Sequence, residues 1–384
     1  MLQALESPAT CVLPWISVAT TVDGVWGRCC FDATNDYDDY YRAKTEPKFA
    51  LRDDAIGCLP RSRYAQDNPD RAFGIEAAFN SPAMRQTRLT MLQGELPSAC
   101  RHCTYREALG TPSHRQAMNT EFGDLVDIAH LGERTAPDGT VDAFPFYLDL
   151  RFGNTCNLQC VMCCFPVSSR WDVGQHPAWF KVHIDPYAQD DELWQTLADH
   201  AADIRFIYFA GGEPFLQRGH ARLLDLLVSS GDAATTELHY NSNLTVLPAG
   251  IFDQLRAFKR VRVAASCDGV GETFERIRVG AHWSTFVQHV RQAKQYVELY
   301  LDVTLQRDNV GDIANLLNFA ASEQVSIRLE NYVDYPQELS VRSLAAEERR
   351  QHSAAILALA GHYHEGPFAD VGQQLERFVA YMNS

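Results

Sequence analysis

Four of the chain's eleven cysteines fall inside the stretch "GNTCNLQCVMCCFPVSSRW", residues 153–171. Cys156, Cys160 and Cys163 have the spacing C-x3-C-x2-C. Three thiolates suit a soft metal centre, and three leave one coordination position vacant on a four-iron cluster. Zinc is the alternative, but a structural zinc ion takes a closed set of four ligands. Cys164 could supply the fourth only from the position next to Cys163, and adjacent residues rarely aim both side chains at one centre. It reads as a bystander. Farther upstream, Cys100 and Cys103 form C-x2-C in "ACRHCTYREALG", and Cys29 and Cys30 close the stretch "WISVATTVDGVWGRCC" (15–30). That stretch predicts two strands around an Asp-Gly turn at 23–24. A two-residue turn sets Cys29 opposite Val18, and Cys11 comes near only if the chain reverses at Pro14.

The rest of the 384-residue chain must position these thiols. Hydrophobic content of 46% and charged content of 22% are those of a globular protein. A formal net charge of −15 argues against a nucleic-acid partner, whose phosphates demand a Lys/Arg excess. The N-terminus lacks a basic segment followed by a long apolar run, and nothing approaches the roughly 18 apolar residues of a membrane helix. The expectation is a cytoplasmic protein with no membrane partner, in which thiols stay reduced and serve as ligands, catalysts or core.

A linker is expected at 132–144, rich in Gly, Pro and Asp. It divides a first region, 1–131, from a series of strand and helix patterns over 145–335, with a helical extension at 336–384. Strands are expected at 145–152, 204–210, 237–243, 260–266, 297–306 and 325–333. Helices such as 221–230, 284–296 and 311–323 lie between them. Six β-α units in series imply an α/β fold with a parallel sheet, open or curled into a partial (β/α)6 TIM-like barrel. Sites on such sheets sit at the C-terminal ends of the strands. Cys156 follows the first strand, "AGGEP" (210–214) follows the second, Ser242 and Asn243 end the third, and Ser266 and Asp268 end the fourth.

These segments, in this order, resemble the radical S-adenosylmethionine superfamily over residues 145–333. The resemblance implies that Cys156, Cys160 and Cys163 hold a [4Fe–4S] cluster, whose electron cleaves bound S-adenosylmethionine to a 5′-deoxyadenosyl radical that abstracts a substrate hydrogen. It assigns Gly211, Gly212 and Glu213 to the methionyl amine, with Pro214 stiffening the turn. Asn243, Ser266 and Asp268 fall where that family binds the cofactor, and Arg278 is the candidate partner of its carboxylate. Met162 stands where an aromatic residue often precedes the last cysteine. Cys11, Gly24, Cys29 and the Cys100/Cys103 pair resemble the family's twitch auxiliary domain, which implies a second [4Fe–4S] cluster. That domain usually follows the barrel and here precedes it. A zinc tetrathiolate fits the same four residues.

The strand patterns also describe the barrel interior. In "VELYLDVTLQ", Leu299, Leu301, Val303 and Leu305 share one face and Tyr300, Asp302, Thr304 and Gln306 the other. Tyr147, Asp149 and Arg151, His239 with Asn241, and Arg328 with Glu330 likewise fall on polar faces. The apolar faces must meet the outer helices, so the polar faces line the lumen. They either hold a polar substrate, with Arg328, Glu330, Asp302 and His239 as candidate catalytic residues, or form an ion-pair network such as Arg328 with Asp149 or Glu330. Cys267, between Ser266 and Asp268, should face the core. The function expected is a two-cluster radical enzyme acting on a small polar metabolite, supplied with electrons by a flavodoxin or ferredoxin-type donor. The alternatives are radical modification of a peptide or protein and a zinc-stabilised interaction protein.

Overall fold

Short runs of β-branched and aromatic residues, each followed by an amphipathic helical pattern, form strands where burial on both faces is available. In the computed structural model, which describes residues 9–32, 51–108, 110–164, 167–171, 183–363 and 369–384, all six expected strands are present. They are β4 (Tyr147–Leu150), β6 (Phe206–Phe209), β7 (Glu237–Ser242), β8 (Arg260–Ser266), β10 (Glu298–Leu305) and β11 (Ser326–Tyr332). The fold class is mixed α/β with a mostly parallel sheet, the arrangement of a partial barrel. The opening residues 1–8, on which the expectation of no signal peptide rests, lie outside the described residues. Among those described, no helix is long and apolar enough to cross a membrane.

The chain divides into two compact units. The first comprises Met1–Thr155, Asp172–Gly212 and Gln217–Glu237. Its strands run β6-β4-β1-β2-β3, with β1 at Ser17–Thr20, β2 at Val25–Gly27 and β3 at Gly57–Cys58. β1 pairs in parallel with β4, Val18 opposite Leu148, so the N-terminal hairpin extends the sheet begun by the first barrel strand. The hairpin register differs from the expected one. Thr21 N–H donates to Val25 O at 3.0 Å, which leaves three residues in the loop instead of two. Gly27 therefore faces Ala19, one position away from the pairing that set Cys29 against Val18. Gly24 takes φ +81 in that loop, a conformation that favours glycine.

The second unit comprises Cys156–Trp171, Glu213–Leu216 and Leu238–Ser384. Its strands run β7-β8-β10-β11, with the helices Trp283–Ala293 and Ile313–Glu323 in the connections. β8 and β10 are in parallel register, Ser266 opposite Asp302. The apolar face of β10 is fully buried at Leu301, Val303 and Leu305, as the alternation requires. A register shift interrupts the pairing of β10 with β11. Asp302 faces Arg328, but Thr304 faces Asn331, so β11 carries an extra residue there. The C-terminal extension is helical at Ala346–Ala360 and Ala369–Met382. Its last helix covers the outer edge of β11: Gln374 Oε1 accepts the Leu329 N–H at 2.7 Å. An edge strand so covered no longer offers its N–H to another chain.

Candidate functional site

The cysteine loop is built inside the second unit. Cys160 belongs to a two-residue strand, β5 (Gln159–Cys160), paired antiparallel with β9 (Arg278–Val279), and Cys160 sits opposite Arg278. The loop is tied back on itself: Cys156 N–H donates to Ser169 Oγ at 3.2 Å, and Ser168 Oγ donates to Leu158 O at 2.6 Å. Leu158 N–H donates to Cys156 Sγ at 3.5 Å, and two side-chain donors also approach the sulfurs. Asn243 Nδ2 lies 3.9 Å from Cys156 Sγ, and Arg278 Nη1 lies 4.0 Å from Cys160 Sγ. The Arg278 guanidinium is buried and held by Asp268, Nη2 to Oδ2 at 2.6 Å. Burial pushes the Cys160 thiol up to about 11, against the pull of Arg278. Cys163 is also raised by burial and by the neighbouring sulfurs of Cys164, Cys160 and Cys156. Thiols this reluctant to ionise alone deprotonate when a metal takes up the charge. Cys164 is exposed.

The rim above the strands divides between the units. In the first, Gly212 lies so close to the end of β4's loop that a Cβ there would stand 2.3 Å from Thr155 O, and Gly211 has φ +112. Both positions therefore need glycine. In the second, Glu213 is buried and gathers the end of β7. It accepts from Ser242 Oγ at 2.7 Å, Asn243 N–H at 2.8 Å and Phe215 N–H at 3.3 Å. Burial still outweighs these donors and raises the carboxyl to about 7. Pro214 follows, buried. Ser266 is half-buried at the end of β8, and Asp268 Oδ1 accepts the Thr304 N–H at 2.7 Å.

Glu213 carries a pH prediction. Its folded pKa of about 7 exceeds the usual 4.5, so between those values the native state binds more protons than the unfolded one. Stability then falls as pH rises through this window and levels off above it, by about 3 kcal/mol in all. Denaturant unfolding of wild type and Glu213→Gln at pH 5 and pH 8 checks this. The wild type should lose that much more than the variant, and parallel losses would contradict it.

The polar strand faces are partnered among themselves within each unit. In the second, Arg328 Nε donates to Asp302 Oδ1 at 2.8 Å and its guanidinium lies 5.3 Å from the Tyr300 ring. Asn331 Nδ2 donates to the same oxygen at 3.0 Å. His239 Nε2 stands 2.9 Å from Tyr300 Oη, and burial pushes its pKa down to about 3, so the imidazole is neutral. Glu330 pairs with Arg377 of the C-terminal helix at 2.5 Å. In the first unit Asp149 pairs with Arg151 at 3.3 Å. Tyr300 lies on the polar face expected of it, whereas Asn331 was not singled out from the sequence. Strict alternation points to Glu330 instead of Asn331, and no local signal announces the extra residue.

A second thiol group lies in the first unit. Cys11, Cys29, Cys100 and Cys103 line one cavity, together with Arg28 and Arg115. Cys103 lies on the helix Arg101–Ala108 and Cys100 just before it. The helix His114–Phe122 clamps the Cys11 segment: Asn119 Oδ1 accepts the Val12 N–H at 2.9 Å, and Arg115 Nη1 donates to Thr10 O at 2.9 Å. Burial raises Cys11 to about 12 and Cys100 to about 11, and in each case the Cys103 sulfur adds to the shift. Cys30 does not line the cavity; its sulfur is 3.7 Å from His114 Nε2. Cys58 packs in a core with Val25, Leu51 and Tyr64, and Cys267 is fully buried with its thiol toward Gly269 O.

Among the described residues, no three Cys, His, Asp or Glu side chains are gathered as the ligands of one metal ion. A cubane spreads its thiolates over separate irons, so the three thiols of the cysteine loop, Cys156 beside Asn243 and Cys160 beside Arg278, and the four around one cavity, fit cluster chemistry by donor type.

Residues 150–320 match the family model described as the Radical SAM superfamily. No curated protein matches the chain. Among solved structures, it is similar to native anSMEcpe with bound AdoMet, at 16% identity and TM-score 0.41 over 57% of this chain and 60% of that one. It is also similar to Streptococcus suis SuiB bound to precursor peptide SuiA, at 12% identity and TM-score 0.42 over 75% and 67%. A third similarity is to TYW1 with a lysine-pyruvate adduct, at 13% identity and TM-score 0.36 over 55% and 72%. The chain thus spans less than two thirds of the anSMEcpe chain.

Proposed function

Residues 150–320 are a radical SAM domain, and from that premise we propose that the chain is a radical S-adenosylmethionine enzyme with two [4Fe–4S] clusters that acts on a small polar substrate. Cys156, Cys160 and Cys163 would hold the first cluster, and Cys11, Cys29, Cys100 and Cys103 the second. When bound, the first cluster supplies the electron that cleaves S-adenosylmethionine into methionine and a 5′-deoxyadenosyl radical. The observation that carries the two-cluster reading is the cavity walled by four cysteines from three separate stretches of chain.

This chain's own residues bind and orient. Gly211 and Gly212 let this segment pack directly against the backbone at Gly153–Thr155, and Glu213 fixes the Ser242–Asn243 turn. Asn243 and Arg278 direct N–H groups toward ligand sulfurs, which stabilises charge on them. Asp302, Arg328 and Asn331 present a fixed polar surface to the substrate, and the neutral His239 offers a hydrogen bond without a charge. An external one-electron donor, of flavodoxin or ferredoxin type, completes the reaction.

The test is metal analysis of protein purified and reconstituted without oxygen. The triple variant lacking Cys156, Cys160 and Cys163 should keep about four irons per chain and lose the rest. Zinc in their place would make the N-terminal site structural. Stimulation of 5′-deoxyadenosine formation by a panel of polar metabolites, against a panel of peptides, decides the substrate class.

A further inference from the structure

Leu244, directly after Asn243, is one of two non-glycine residues with positive φ among those described, at φ 51. A left-handed leucine costs about 1–2 kcal/mol and persists only where its surroundings impose it. The side chain is buried, and Leu244 N–H donates to Ser242 Oγ at 2.9 Å. The Leu244 carbonyl meets His289 Nδ1 at 2.9 Å. A carbonyl only accepts, so the imidazole carries its proton on Nδ1. His289 stands on the helix Trp283–Ala293 and forms part of the wall of a pocket with Leu247, Phe252 and Tyr296.

The carbonyl so held lies between the two residues that tie this turn to the cysteine loop. Asn243 Oδ1 accepts from Thr245 N–H at 2.9 Å and Thr245 Oγ1 at 2.6 Å. Asn243 Nδ2 donates to Asn157 Oδ1 at 3.0 Å, and Asn157 Nδ2 donates back to Thr245 Oγ1 at 2.8 Å. If the Leu244 peptide rotated, Asn243 and Thr245 would lose their alignment with Asn157 and with the Cys156 sulfur. We propose that His289 is a positioning residue for the cofactor site: its Nδ1–H fixes the left-handed Leu244 peptide and through it the amide of Asn243. This rests on the reading of Asn243 as a cofactor-side residue.

Three variants test it. His289→Asn places an amide N–H near the position of Nδ1, His289→Gln places it near Nε2, and His289→Leu offers none. In protein without S-adenosylmethionine, amide hydrogen exchange over residues 242–245 should quicken about tenfold in the Leu and Gln variants and return toward wild type in Asn. The dissociation constant for S-adenosylmethionine, measured by equilibrium dialysis on reconstituted protein, should rise about tenfold in the same two variants and not in Asn. Wild-type exchange in the Leu variant, or equal loss in Asn and Gln, overturns the proposal. If wild type itself fails to bind S-adenosylmethionine, the functional reading falls, while the exchange measurement still decides whether His289 holds the turn. If the Leu variant does not fold, the contrast between Asn and Gln decides alone.

Discussion

Reductive formation of 5′-deoxyadenosine is expected to disappear when Cys156, Cys160 or Cys163 is replaced by alanine, and to survive in Cys164→Ala. A cluster held by three thiolates has no spare ligand, so each loss should be complete. Cys164 differs from its neighbour by exposure, and the Cys163 sulfur lies 3.8 Å from the Cys164 carbonyl. The measurement is product analysis after incubation with a strong reductant and S-adenosylmethionine, beside the iron content of each variant. Full loss in Cys164→Ala, with iron gone, would move the ligand set by one residue and refute the arrangement around β5. Retention of activity in any of the three alanine variants would remove the radical reading itself.

Arg88→Met is expected to be the most destabilising single change in the first unit. Arg88 is 0% exposed, and among the described residues no carboxylate pairs with its guanidinium. It donates from Nε to Pro14 O at 2.7 Å, from Nη1 to Gly139 O at 3.0 Å and Asn80 Oδ1 at 2.9 Å, and from Nη2 to Phe79 O at 2.6 Å. It also lies 4.4 Å from the centroid of the Phe79 ring. Burial pushes its pKa down to about 9, which is still high enough to keep the charge at neutral pH. Methionine fills similar space but leaves several buried carbonyls without a donor. Each costs about 1–3 kcal/mol, so the sum should be on the order of 3 kcal/mol or more. Denaturant unfolding monitored by circular dichroism reads it, with Arg88→Lys expected between wild type and Met. Because Pro14 follows the Cys11 segment, the variant should also reduce iron retained at the four-thiol site. A loss under about 1 kcal/mol would mean that water replaces the missing donors.

The strands were legible because their signal is local. β8 spans the residues expected of it, and β4, β6, β7, β10 and β11 differ by two residues or fewer at either end. Each is a short apolar run between longer periodic segments, and that pattern needs no knowledge of distant residues. Register was not legible in the same way. The hairpin at 15–30 has one more loop residue than Asp-Gly suggests, and β11 carries an extra residue between Arg328 and Asn331. A one-residue shift exchanges the faces of a strand. That is why Glu330 meets Arg377 of the last helix, while Asn331 joins Arg328 on Asp302.

By itself the sequence determined the types of candidate site residue and their order: three thiols after a first strand, glycines and a glutamate after a second, polar groups ending the third and fourth. Spacing along the chain is enough for this, because residues three or four apart in a loop cannot separate far. Only the tertiary structure decided which distant groups meet. It brought Cys11 and Cys29 to the cavity of Cys100 and Cys103 and left Cys30 beside His114. It set Arg278 against Cys160, across a two-residue ladder that propensity alone would not identify. It placed His289 under the Leu244 carbonyl. Such meetings depend on how long loops close and on which strand pairs with which. Those choices are set by the burial of the whole core, not by the residues that meet.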